Sequence, residues 1–119
     1  DMYEADEICD RVAIMDRGKI AALDKPHILK KTIGGEPTIH IRVKDSQTKK
    51  VLIILKEYNA TLRDDEIQIL AKNPWEIMPE VSNKLLSQGV LVEKVEIVEP
   101  TLEDVFIKLT GRKLTEESS

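Results

Sequence analysis

The side chains with the widest chemical reach in this 119-residue chain are His27, His40, Cys9, Trp75 and the Glu103-Asp104 pair. Neither histidine has a second histidine, a cysteine or an acid at metal-ligand spacing, so each reads as a solvated or hydrogen-bonded imidazole, and no metal site is expected. Cys9 falls on the apolar side of a short helical pattern with Ala5 and Ile8, the setting of a buried structural thiol. A single cysteine also excludes an internal disulfide framework and suits a reducing compartment. Glu103 and Asp104 form an acidic pair that a docking surface can use, but acids in a first helical turn are also what the helix dipole favours. Trp75 can anchor a partner surface, although packing beneath the helix that follows it is the favoured expectation. These three residues, Trp75, Glu103 and Asp104, are the candidate interface. No phosphate-cradling G-x-x-x-x-G-K-[ST] loop occurs, because the glycines stand at 18, 34, 35, 89 and 111 in other contexts. Without a run of backbone N–H groups and a lysine for the β and γ phosphates, the chain offers no nucleotide site. No catalytic, cofactor-binding or metal residue is therefore assigned.

The elements that must position these residues are legible from periodicity. Asp1 can cap a short helix, with Glu4 reaching back at the third position. Val12, Ile14 and Ile20 then flank Asp16-Arg17-Gly18, a strand, turn and strand. Ile28, Leu29 and Ile33 make a second short helix, and Gly34-Gly35-Glu36-Pro37 breaks it at a domain boundary. Ile39, Ile41 and Val43 alternate with His40, Arg42 and Lys44 in a strand. The period then switches to a helical stripe over residues 48–58, with Val51, Leu52, Ile54, Leu55 and Tyr58.

Strands over 60–63 and 66–71 flank Asp64-Asp65 as a hairpin. Ile77, Met78, Val81, Leu85 and Leu86 mark a helix ending near Gly89, in which Pro79 is tolerable only in the first turn. Residues 90–98 return to strand. The order strand, helix, strand, strand, helix, strand predicts an α+β, ferredoxin-like (split βαβ) four-stranded antiparallel sheet with two helices. Before it lies a helix-hairpin-helix stretch, and after it a helix capped by Thr101 with Leu102, Val105, Phe106 and Leu109 on one face. The expected organisation is residues 1–34, residues 38–111 including that last helix, and a flexible tail at 112–119.

Composition restricts the function classes. Apolar residues make up 41% and charged residues 34%, and no apolar run approaches the ~20 residues that span a bilayer. A net charge of −4, with bases interleaved among acids, argues against a polyanion partner. Strand positions carry no Phe or Tyr pair for base stacking, which argues against nucleic acid.

Two strings carry a resemblance. At the front, Met2, Glu4, Ala5, Cys9, Asp10, Arg11, Gly18 and Lys19 are in register with the segment just past the switch histidine of ATP-binding cassette (ABC) ATPases. The family's following Gly-Thr/Ser-Pro is here Asp24-Lys25-Pro26, which keeps the proline and loses the glycine. At the back, Pro100, Leu102, Glu103, Phe106, Leu109, Thr110, Gly111 and Arg112 are similar to the ending of the drug-resistance and nodulation-type exporter subfamily.

The resemblance implies the C-terminal portion of an ATP-binding subunit. The parent would dimerise, bind ATP and magnesium, hydrolyse ATP and drive a transmembrane permease from the cytoplasmic side, peripheral to the membrane and without inserting. It also implies that a histidine directly precedes Asp1 in the parent. This stretch lacks the phosphate loop, the signature sequence and the catalytic carboxylate, so it is expected to be noncatalytic and to hold no cofactor. Its expected role is contact with a second copy of the subunit or regulation of the ATPase, and the rival from another class is a small-molecule-sensing module. Ile8, Val12, Ile14 and Ile20 are expected to lack their usual cover, so association or disorder is anticipated before Gly34.

Overall fold

A computed structural model describes residues 10–111. The helix anticipated over the first residues, with Met2, Glu4, Ala5, Ile8 and Cys9, and the tail at 112–119 lie outside the described residues. Two compact units divide the chain: residues 1–35 with 100–119, and residues Glu36–Glu99.

The first unit opens with a two-stranded antiparallel hairpin, β1 (Val12–Asp16) and β2 (Lys19–Asp24), followed by the helix α1 (Pro26–Thr32). Arg17 and Gly18 both have positive φ, 53° and 79°, the twist a two-residue hairpin loop needs to match its strands. A register shift past Ile14 skips Ala21, so Ile14 pairs Ala22 while Met15 pairs Ile20. Pro26 opens α1 at a position where its missing N–H is not needed. The unit is completed by the last helix, α4 (Leu102–Thr110), which follows the sheet unit in sequence.

The packing of α4 differs from the sequence expectation, which grouped it with residues 38–111. Leu102, Val105 and Phe106 share a buried cluster with Ile14 of β1 and Leu29 of α1, edged by Val12, Ala22, Ile33 and Leu109. Adjacency in sequence suggested the neighbouring sheet, but the stripe of α4 is filled by these residues from the start of the chain. Ile14 thereby gains the cover it was expected to lack, whereas Ile20 remains 59% exposed. Within this unit Gly34 lies close to Pro100: a Cβ there would lie 2.6 Å from the Lys30 carbonyl oxygen and 2.8 Å from the Pro100 Cβ, so only glycine permits that approach.

The second unit is the split βαβ arrangement: β3 (Thr38–Arg42), α2 (Thr48–Ile54), β4 (Thr61–Arg63), β5 (Glu66–Leu70), α3 (Pro74–Ser87) and β6 (Lys94–Val98). Its four strands lie in the order β4-β5-β3-β6, every neighbouring pair antiparallel. The alternation anticipated in β3 holds: Ile39 and Ile41 are buried, and the register sets them beside Ile69 and Ile67 of β5. Val51 and Leu55 from the α2 segment and Val81 and Leu85 from α3 complete that core. Asp64 and Asp65 make the β4–β5 turn with φ of 50° and 64°.

Three details depart from the periodicity. The helix expected over 48–58 stops at Ile54; a 3-10 turn over Lys56–Tyr58 follows, and Asn59 reverses the chain in the left-handed region at φ 56°. Pro79 lies beyond the first turn of α3, where its ring nitrogen has no proton for the Trp75 carbonyl. Trp75 is itself solvent-exposed, so water can satisfy that oxygen. The last strand begins at Lys94 rather than 90, because Val90 belongs to the end of α3. Gly89, at φ 76°, donates to the Leu86 carbonyl while the Val90 N–H donates to Leu85, a Schellman closure with Val90 and Leu85 both buried.

Candidate functional site

One face of the four-stranded sheet carries Ile39, Ile41, Ile67 and Ile69 toward the core. Period-two alternation places Thr38, His40, Arg42, Glu66, Gln68, Lys94 and Glu96 on the other. Glu66 is the hub of this open face. Its carboxylate lies 3.3 Å from His40 Nδ1 and 3.7 Å from an Arg42 guanidinium nitrogen, and the register sets Arg63 directly across from it. Two strands away, Lys94 and Glu96 are joined at 3.2 Å. Acids and bases are thus interleaved, and none of these strand positions is aromatic. The face suits a charge-complementary protein contact; it has neither the cationic stripe nor the stacking platform that single-stranded nucleic acid requires.

Beside β4 the open face deepens into a groove of about 510 Å³ lined by Glu36, Thr38, Tyr58, Asn59, Thr61, Arg63, Gln68 and Leu70. Tyr58 donates its hydroxyl proton to Glu80 at 3.3 Å. Desolvation first, then the Glu80 charge and the hydrogen bond to it, hold this phenol above the usual tyrosine pKa of 10.0. It therefore stays protonated as a donor throughout the neutral range. Lys84 sits 5.6 Å above the Tyr58 ring and pairs with Glu57, tying α3 to the end of the α2 segment.

The residues singled out in the sequence do not converge. Asp104 accepts from the Thr101 backbone N–H at 2.8 Å and donates its own N–H to the Thr101 hydroxyl at 3.1 Å, a capping box that accounts for this acid structurally. Glu103 is exposed on the same turn. Trp75 is 69% exposed at the start of α3, which overturns the expectation that it packs under that helix. His27 is exposed, whereas His40 has the carboxylate partner just described. Among the described residues no group of three or more His, Cys, Asp or Glu is arranged to hold a metal ion, and no helix is long and apolar enough to cross a membrane.

The structure does join the two informative strings. Asp10 and Arg11 lead into β1, Gly18 and Lys19 form its turn with β2, and Leu102 and Phe106 from the distant Pro100 string bury against Ile14. Glu66 was not singled out beforehand. The available signal was the His40-x-Arg42 alternation, which sets two basic side chains on the outward face where a carboxylate of a neighbouring strand can meet them.

A hairpin and two helices interrupted by a split βαβ sheet define an α+β fold of two units. The chain matches, over residues 12–110, the family model described as ATP-binding protein DrrA1-3-like, C-terminal domain, and it belongs to that family. It is 27% identical to the daunorubicin resistance ATP-binding protein DrrA2 of Streptomyces coeruleorubidus, over 94% of this chain and 36% of that protein. It is 29% identical to the Nod factor export ATP-binding protein I of Rhizobium leguminosarum bv. viciae, over 95% of this chain and 34% of the relative. The linearmycin resistance ATP-binding protein LnrL of Bacillus subtilis is 27% identical over 95% of this chain and 38% of its own length. The chain therefore spans about a third of the length of these curated relatives.

Proposed function

We propose that this chain is the C-terminal part of the ATP-binding subunit of an export transporter, and that its sheet unit is a noncatalytic contact and regulatory module. The observation that carries this reading is the open face around Glu66, which is charged on both signs and holds no nucleophile–base pair, within a chain of the DrrA1-3-like family. Such a surface recognises a folded protein partner by complementary charge rather than performing a reaction. On this reading the partners are a second copy of the subunit and a membrane-spanning permease, and the module works at the cytoplasmic side of the membrane. ATP and its magnesium belong to the preceding part of the parent, because this chain has no phosphate-cradling loop.

The test is removal of Glu36–Glu99 from the full subunit with Gly35 joined to Pro100, which leaves the α4 helix in its own core. Loss of subunit pairing, or an altered ATPase rate or transport, is expected. Unchanged values of all three overturn the proposal.

The groove beside β4 favours one second reading, a small-molecule sensor, since Tyr58, Asn59, Thr61, Arg63 and Gln68 offer donors and acceptors around it. A rise in melting temperature of the chain with transported compounds supports that reading. No shift across a panel of such compounds supports the contact role.

A further inference from the structure

The four-stranded sheet has two unpaired edges of different character. Among the described residues β4, at one edge, is three residues long, whereas β6, at the other, runs for five and pairs only with β3. Short edges are protected from further pairing; the five-residue edge Lys94-Val95-Glu96-Ile97-Val98 is long and rich in β-branched residues, and its two charges bar any register that does not set lysine against glutamate.

The helix on that side also has an exposed apolar flank. α3 connects β5 to β6 and packs across β3, and it turns Glu80 and Lys84 toward the α2 segment through Tyr58 and Glu57. Its opposite flank, at i, i+4, i+7 and i+11, is Trp75, Pro79, Ser82 and Leu86. Trp75 and Leu86 are 69% and 74% exposed, and Leu91, on the way into β6, is 72% exposed. An unpaired strand and an uncovered apolar flank thus lie on the same side of the unit.

We propose that β6 pairs antiparallel with β6 of a second copy about a two-fold axis through Val95, joining two four-stranded sheets into one of eight, with Trp75 and Leu86 shielded at the seam. This inference rests on the contact reading above and adds the β6 edge to the open face as the surface that meets a second copy.

The charge pattern selects the register. Side chains alternate faces, so only residue-centred axes keep like faces together. With the axis through Val95, Lys94 of each copy stands opposite Glu96 of the other, two ion pairs that extend the Lys94–Glu96 contact already present within one copy. Moving the axis to Glu96 sets two carboxylates against each other. Moving it to Ile97 opposes Glu96 to Val98 and leaves both lysines without an acid.

The test is sedimentation equilibrium of the 119-residue chain, with circular dichroism as a check that each exposed-residue variant folds. The wild type is expected to dimerise reversibly. Lys94→Glu and Glu96→Lys alone each raise the dimer dissociation constant by about tenfold or more. An equimolar mixture recovers the wild-type value, because one variant carries two acids and the other two lysines at these positions. In a Cys9→Ser background, Val95→Cys is expected to form a disulfide-linked dimer under mild oxidation, and Leu62→Cys on β4 is not.

A wild type that stays monomeric at every accessible concentration overturns the proposal. So does a mixture that associates no more tightly than its separate components, or equal cross-linking through Leu62→Cys. In each case the broader contact role is judged separately, by the Glu36–Glu99 deletion in the parent subunit.

Discussion

The hairpin of the first unit and the sheet of the second are both antiparallel, yet their solvent sides are opposite in kind. Beyond its buried isoleucines the four-stranded sheet turns His40, Arg42, Glu66, Lys94 and Glu96 outward, so its own sequence finishes both faces. The hairpin buries Ile14 beneath Leu29 and Phe106 but turns Ala13, Met15, Ile20 and Leu23 the other way. A strand pair apolar on both faces is patterned for cover on both faces. The described residues provide one of these covers. The open face of the sheet carries its own charged finish, whereas the outer face of the hairpin stays apolar among the described residues.

The largest test of this contrast is the core of the hairpin unit. Phe106→Ala removes the largest side chain joining α4 to β1 and is expected to destabilise that unit by about 3–5 kcal/mol, read from denaturant unfolding. A near-neutral result would mean that α4 is not docked there. Gly34→Ala is expected to cost about 1–3 kcal/mol, since the new methyl must displace the Lys30 carbonyl or the Pro100 ring.

Thr101→Ala breaks the reciprocal cap with Asp104 and should cost about 1 kcal/mol, with the loss showing first as faster amide exchange at the start of α4. Met15→Lys with Ile20→Lys should change stability within about 0.5 kcal/mol and reduce binding of a hydrophobic dye. A large stability loss would show instead that this face is already packed.

The sheet unit gives the smallest effect, a shift in pH dependence. Tyr58 is the only phenol besides Tyr3, so in a Tyr3→Phe background its ionisation can be followed by ultraviolet absorbance. The folded-state pKa is raised above the usual tyrosine value of 10.0, so the stabilising contribution of the neutral phenol is complete below the unfolded value and is lost as pH rises through the higher folded one. Phenolate is expected to appear later in the folded chain than in urea. Glu80→Gln should narrow the gap without closing it, because desolvation is the larger cause.

What the sequence made legible was local. The alternation of Ile39 and Ile41, the Asp64-Asp65 reversal, the stop at Gly89 and the Thr101 cap each depend on residues a few positions apart, and each is present. The strand order was accessible too, since a split βαβ succession with two helical periods leaves few alternatives.

Long-range partnership was the part that periodicity cannot encode. The stripe of Leu102, Val105 and Phe106 announces that α4 buries one face, but nothing in its spacing specifies Ile14, some ninety residues earlier, as the cover. Trp75 shows the converse. An aromatic residue at the start of an amphipathic helix is consistent with either burial or exposure, and its position on the flank away from the core stripe decided the outcome. On the open face, His40 and Arg42 were visible as outward residues, while Glu66 became significant only when the β3–β5 register brought it between them.

The close approach of Gly34 to Pro100 means that the backbone departs for the sheet unit and comes back at nearly one spot. Sixty-odd residues are spliced into an otherwise continuous piece of chain, like a cassette in a socket whose two terminals touch. Such a socket accepts inserts of different size or surface without any rebuilding of its rim, so the sheet unit can change its surface while the core of Ile14, Leu29 and Phe106 stays the same.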